Sequence, residues 1–195
     1  MKTELRKEIK LIKNESELII FFKKHSKKLE EIYEPRKITS LYFDTIDNSL
    51  FKNSKFGDVN TIKVRVRNYS NSKNFYKEIK YNLFSGKYKS VEEMKIGNFN
   101  DVEKLFSNQY TLYPSVYTQY DRRYFKLLDC RLTLDTNISF FSHNFRSKSV
   151  IRKNFKNNVL EYKALNFNYD IEKYVESNPV AFSKFKNAVN KVYDL

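Results

Sequence analysis

Glycine and proline are scarce in this 195-residue chain, at three of each, and cysteine and histidine scarcer still, at one and two. So little glycine excludes a glycine-rich phosphate loop and a dinucleotide fingerprint, so any phosphate must be held by side chains. The single cysteine, Cys130, can form neither an internal disulfide nor a thiolate metal cluster. With only His25 and His143, an imidazole-rich zinc site is not expected. The opening MKTELRKEIK has no apolar signal core, and no run approaches the length of a membrane span. These absences lead to the expectation of a cytoplasmic, reduced protein with no transmembrane segment.

What is abundant is positive charge. Thirty-seven Lys and Arg stand against 23 Asp and Glu, a formal excess of +14, which favours an anionic partner. Aromatic residues make up 16% of the chain, all Phe and Tyr, and hydrophobic residues 41%, so the chain is globular rather than a basic tail. Its length suits one domain over 1–195, and no repeat or linker divides it.

Strands dominate the reading. Alternation over 4–12 gives a first strand. Asn14 with Glu17 three residues on reads as a capping box, opening a helix expected to reach about Tyr33, before Pro35. Further strands are expected at 37–45, 61–69, 74–81, beyond a hairpin loop at Gly86, and at 116–127, 130–138, 149–152 and 157–165. A loop is expected from 46 to about 60, a short helix capped by Asn100 over 101–109, and a C-terminal helix opened by Asn178-Pro179. Close strand spacing with hairpin-like turns points to an α+β, mainly β protein built on an antiparallel sheet or barrel.

The polar faces of these strands share one design. The stretch TIKVRVRNY sets Ile62, Val64 and Val66 on one side and Lys63, Arg65 and Arg67 on the other. In the same way Arg6, Glu8 and Lys10 are in step, as are Glu78 and Lys80, Arg122 with Tyr120 and Tyr124, Arg131 with Thr133 and Asp135, and Glu161 with Lys163. Neighbouring strands lie about 4.8 Å apart, and like charges directly opposite destabilise a sheet. Interleaved Glu8, Glu78, Asp135 and Glu161, or a bound polyanion, must compensate. Closing the sheet with this face inward gives a cationic tunnel whose acids could hold a divalent metal. Phosphoryl transfer suits such a site, because arginine matches phosphate as a planar fork and carboxylates hold hard cations.

The order of motifs is itself informative: an early E-x-K strand, SLYFDT, KVRVRNY, EIK, YDRRYF, RLTLDTNI, VLEYK and a late FSKF. Together they resemble the polyphosphate-polymerase (vacuolar transporter chaperone, VTC) domain of the triphosphate tunnel metalloenzyme, or CYTH-like, superfamily. The resemblance runs from Arg6 to about Lys186. It implies an eight-stranded antiparallel barrel with flanking helices that moves the γ-phosphate of ATP onto inorganic polyphosphate with Mn²⁺ or Mg²⁺. It implies that Lys10, Arg65, Arg67, Lys80, Arg122 and Arg131 grip triphosphate or polyphosphate in the catalytic tunnel. Lys63, Lys89, Lys163 and Lys184 are implied as further substrate contacts, with Lys87 competing with Lys89 for one of these places. Glu161 is implied as the metal carboxylate, joined by Glu8, while Glu8, Glu78 and Lys163 also serve as ion-pair partners that order the cations. The hydrolytic branch carries E-x-E-x-K on its first strand, whereas here Arg6 stands at the first acid. That departure favours the polymerase branch.

Tyr42, Phe43 and Asp44 are expected to be structural, Cys130 buried and inert, His25 an exposed helix residue and His143 a surface residue. A triphosphatase of the same fold and a non-catalytic polyanion-binding domain remain open alternatives. Nucleic acid is not the expected partner, because most aromatics alternate onto the core side rather than among the cations. Neither the oligomeric state nor any membrane-protein partner is specified by the sequence.

Overall fold

The computed structural model of the chain describes residues 2–3, 8–56, 60–107, 109–143, 150–164, 175 and 178–195. The strands are β1 (Lys2–Thr3), β2 (Glu8–Lys13), β3 (Leu29–Asp44), β4 (Thr61–Tyr69), β5 (Phe75–Leu83), β6 (Gly86–Met94), β7 (Leu105–Ser107), β8 (Tyr110–Leu127), β9 (Cys130–Ser142), β10 (Arg152–Asn154) and β11 (Asn158–Ala164). The helices are α1 (Glu15–His25), α2 (Ser49–Phe56) and α3 (Lys184–Tyr193). No helix among the described residues is long and apolar enough to cross a membrane.

One antiparallel sheet runs β1-β6-β5-β4-β3-β8-β9-β11-β2, with β7 beside β8 and β10 beside β9. The eight long strands expected are present. Glu8 and Lys10 at one end of this path and Lys89 near the other line the same cavity, so the sheet curls into a barrel-like wall. The expected antiparallel barrel is present as a barrel-like sheet, and among the described residues no ladder joins β2 to β6 or β1. Residues 4–7, which link β1 to β2 and include Arg6, lie outside the described residues.

The period-two pattern decides which face is which. Apolar alternates point outward and are covered. Ile9, Leu11, Phe125, Leu132, Leu160 and Tyr162 pack under Leu18 and Phe21 of α1. Leu41, Phe43, Val64, Val66 and Ile79 pack under Leu50 of α2 and the chain at Val102 and Leu105. Cys130 is buried in the first of these clusters, where burial pushes its thiol up to about 11, away from the reactive thiolate. The polar alternates are left on the concave side.

The third cluster forms where α3 enters that concave side. Phe185, Ala188, Val189 and Val192 recur at helical spacing and are buried against Tyr42, Val116, Tyr120, Ile138, Phe140 and Val159. Phe185 stacks on Tyr42, with ring centroids 5.1 Å apart and planes at 22°. The helix therefore shuts the end of the barrel at which Tyr42 and Val116 pair.

Several element boundaries differ from the sequence expectation. The capping box at Asn14 and Glu17 is present, but α1 stops at His25 rather than near Tyr33. From Leu29 the chain pairs with β8, setting Glu30 opposite Lys126, while Glu31 takes a two-pronged bond from Arg123. Pro35 also disfavours helix at Glu34, so the cross-strand pairing wins. His25 is half-buried with its ring 4.7 Å from Phe21, not an exposed helix residue. The expected loop at 46–60 contains α2. Its first amides are capped from the preceding strand: Asp44 accepts from Leu50 and Phe51, and Thr45 Oγ1 from Ser49. The expected helix at 101–109 is instead a single turn at Phe99–Asp101 capped by Asn98, followed by β7. Helix α3 starts at Lys184 with Ser183 as its cap, five residues beyond Pro179. His143 is half-buried against Tyr117, 5.4 Å away, outside the cavity.

Candidate functional site

The concave face encloses a cavity of about 440 Å³. Every site residue expected from the sequence lines it: Lys10, Lys63, Arg65, Arg67, Lys80, Lys89, Arg122, Arg131, Lys163, Lys184, Glu8 and Glu161. Lys87 lies instead on an adjoining recess between β2 and β6. With Arg36, eleven basic side chains face this space. Two carboxylates, Glu8 and Glu161, share it, and two more, Glu78 and Asp135, are buried in its wall.

The strand register sets the order of charges. Arg65 is directly opposite Glu78 and donates to its Oε2 through both Nε and Nη2. The same carboxylate holds Lys89 at 3.1 Å and Arg67 at 3.7 Å, so one acid serves three cations. Asp135, 0% exposed, accepts both prongs of Arg122 and the ammonium of Lys184. On β2 and β11 the register makes a checkerboard, with Glu161 opposite Lys10 and Lys163 opposite Glu8. Lys163 bridges Glu8 at 3.2 Å and Glu161 at 3.1 Å, and Lys10 pairs Glu8 at 2.8 Å. The expected pairing role of Glu8, Glu78 and Lys163 is thus what the geometry contains.

These networks hold the acids ionised. Burial alone would raise the Glu78 carboxyl, yet Arg65, Arg67 and Lys89 outweigh it and hold it far below the usual range. Burial of Asp135 is overcome by Arg122 and Lys184, and burial of Glu161 by Lys163, Arg122 and Lys10. Lys80 behaves in the opposite way. Burial, then Arg65 and Lys163, press its ammonium down to about 7. It sits between Lys63 on β4 and Lys89 on β6, a row of three lysines across adjacent strands. Lys89 of this row is paired with Glu78, and an anion in the cavity would further offset the like charges.

Three groups of site residues depart from the sequence reading. Tyr42 is not merely structural: its hydroxyl accepts from Arg65 at 2.9 Å inside the cavity. Tyr120 likewise accepts from Arg67, whose Nε donates to Ser40. Asp135 was legible only as an acid in step with Arg131, and its role as the anchor of Arg122 and Lys184 depends on α3 docking from 49 residues downstream. The third group is Tyr33, at the end of the expected helix, Arg36, between that helix and the expected strand at 37–45, and Tyr69 at the end of β4, all of which line the cavity. Tyr42, Tyr69, Tyr120 and Tyr124 all face the cations, so aromatics are not confined to the core side. Phe43 packs outward as expected, and Asp44 caps α2.

The donor set suits a hard dication. Glu8 and Glu161 face the cavity and already converge on one cation, the Lys163 ammonium, and carboxylate oxygens with phosphate are the ligands Mg²⁺ and Mn²⁺ prefer. No group of three or more His, Cys, Asp or Glu able to hold a metal occurs among the described residues, so phosphate oxygens would complete the coordination. Deeper in the wall, Arg131 Nε and Thr133 Oγ1 are buried without a hydrogen-bond partner, which leaves donors for an anion.

Comparison with known proteins places the fold. A protein of Bacillus halodurans described as a candidate adenylate cyclase is 14% identical, with a TM-score of 0.62 over 96% of this chain and 98% of that one. The PH1819 protein of Pyrococcus horikoshii is 11% identical, with a TM-score of 0.57 over 95% of this chain and 99% of that one. The PH1012 protein of the same organism is 13% identical, with a TM-score of 0.50 over 97% and 87% of the two chains. At such identities the likeness concerns the fold alone. No curated protein sequence matches the chain. A family profile described as the VTC domain matches residues 1–97 and 81–193. That coverage takes in every cation and carboxylate of the cavity, and the chain belongs to the VTC domain family.

Proposed function

We propose that the protein is an ATP-dependent polyphosphate polymerase. The observation that carries this reading is the convergence of eleven basic side chains on one cavity, with the arginines braced from behind by buried acids. In the reaction, a terminal phosphate oxygen of the polyphosphate acceptor attacks the γ-phosphorus of ATP. One P–O bond forms, the bond to the β-phosphate oxygen breaks, and ADP leaves. No protein nucleophile is needed, and the cavity lining contains neither Cys nor His.

Arg65, Arg67 and Arg122 neutralise charge on the transferring group, and their forks are pre-positioned by Glu78 and Asp135. Lys10, Lys80 and Arg131 hold the flanking phosphates. Lys63, Lys89, Lys163 and Lys184 extend the basic surface along the substrate. Glu161 and Glu8 would hold a divalent Mn²⁺ or Mg²⁺, which would supply neutralisation of phosphate charge. Arg6, at the first acidic position of the hydrolytic pattern, favours synthesis over hydrolysis.

Incubation with ATP and Mn²⁺ tests this. ADP and acid-labile polymer are expected, and Glu161→Gln is expected to lose turnover while still binding tripolyphosphate. Free phosphate without polymer would make the protein a triphosphatase. Tripolyphosphate binding with no turnover on any nucleotide would make it a polyanion-binding domain.

A further inference from the structure

The end of the barrel opposite α3 is built differently from the rest. Residues 29–36 of β3 pair with β8 alone, since pairing with β4 begins only at Ile38. The register slips on both sides of Tyr33, around Pro35, and sets Tyr33 opposite Tyr124 and Arg36 opposite Arg122. A rim of aromatic rings results. Arg36 lies 6.0 Å from the Tyr33 centroid, 6.0 Å from Tyr69 and 5.7 Å from Tyr124. Tyr33 meets Tyr124 edge-on at 5.7 Å and is 54% exposed, so one broad aromatic face is left open at the mouth.

Arg36 differs from the three arginines that are braced by acids. Arg65, Arg67 and Arg122 each lie against a buried carboxylate, whereas Arg36 lies among the rings of Tyr33, Tyr69 and Tyr124. Its Nε is buried and has no hydrogen-bond partner. A guanidinium set among rings, with a donor unused and an open tyrosine beside it, is suited to a ligand that is both aromatic and rich in acceptors. A nucleobase has those properties, since every base offers a π-face and ring acceptors. The spacing is also right. Tyr124 and Arg122 are two residues apart on one strand, about 6.8 Å, comparable to the span of a ribose between base and phosphate.

We propose that this mouth docks the base of a nucleoside triphosphate, stacked on the open face of Tyr33 with Tyr124 and Arg36 at its edge, while the phosphates run inward past Arg122. The inference rests on the polymerase reading in that the phosphoryl donor is a nucleotide. It divides the cavity into a base-binding rim and a phosphate-binding interior.

Calorimetric binding of two probes separates the rim from the interior: ATP, which has a base, and inorganic tripolyphosphate, which has none. Tyr33→Ala is expected to weaken ATP by about fivefold or more, the lower end for loss of one stacking face, and to leave tripolyphosphate within twofold. Tyr33→Phe should retain ATP affinity, because the face rather than the hydroxyl acts. Unchanged tripolyphosphate binding shows that the variant is folded. Equal weakening of both probes would overturn the proposal and make the rim a phosphate grip. No change in ATP affinity for Tyr33→Ala and Tyr124→Ala together would overturn it outright. Failure of the wild type to form polymer sinks the polymerase reading but leaves this binding difference intact, so the two are told apart.

Discussion

At the scale of single residues, Lys80 shows how the cavity stores a demand for anions. Its ammonium titrates near 7 rather than the ordinary 10.5 because burial, Arg65 and Lys163 oppose its charge. Between those two values the unfolded chain holds a proton that the folded protein does not. This group's contribution to stability therefore rises with pH across that window, and below about 7 the folded state bears the full cost of the buried charge. A bound polyphosphate reverses the balance and returns the proton. Tripolyphosphate binding at about pH 8 should take up close to one more proton in the wild type than in Lys80→Gln, and the difference should shrink toward zero by about pH 6. Calorimetry in buffers of differing ionisation heat measures it, and an equal uptake by both proteins at the higher pH would refute it. The strand lysines and arginines other than Arg36 were legible in the sequence because their parity in each strand is visible there, whereas Lys184, on α3, was implied only by the family resemblance. Tyr42 was not, since in SLYFDT its ring reads as one more apolar residue until Ser40 and Arg65 show which way it points.

At the scale of elements, α3 joins the core to the site. Phe185 packs on Tyr42 and Phe51, and the next residue before it, Lys184, reaches Asp135. Phe185→Ala should cost about 3–5 kcal/mol of stability, as expected for a buried phenylalanine, and should also weaken tripolyphosphate binding. Denaturant unfolding and calorimetry read the two effects. A fall in stability with binding unchanged would separate the helix from the site. The strands were the readable elements, because alternation such as that of TIKVRVRNY survives in isolation. The misread elements depend on distant partners. LEEIY carries both helical and extended patterns, and only its pairing with β8 decides between them. The short, polar SLFKNSKF has its caps supplied by Asp44 and Thr45 from the preceding strand, so its start is not marked at its own first residue.

At the scale of the whole molecule, the +14 excess is not spread evenly, since eleven basic side chains face one cavity against four carboxylates. The ligand-free barrel is therefore under internal repulsion, which a polyanion relieves. Tripolyphosphate at roughly a hundred times its Kd should raise Tm by about 5–10 °C. The gain should shrink as salt is added, because screening weakens the same attraction. Thermal unfolding across a salt series checks this, and a ligand shift of zero at low salt would count against a polyanion site.

The three-to-one arrangement at Glu78 has a consequence for tolerance to change. Removing Arg65, Arg67 or Lys89 leaves the carboxylate two other partners, so no lone anion is stranded in the wall. Removing Glu78 strands three cations at once. The least replaceable residue of this basic chamber is therefore an acid that is absent from the cavity's own lining.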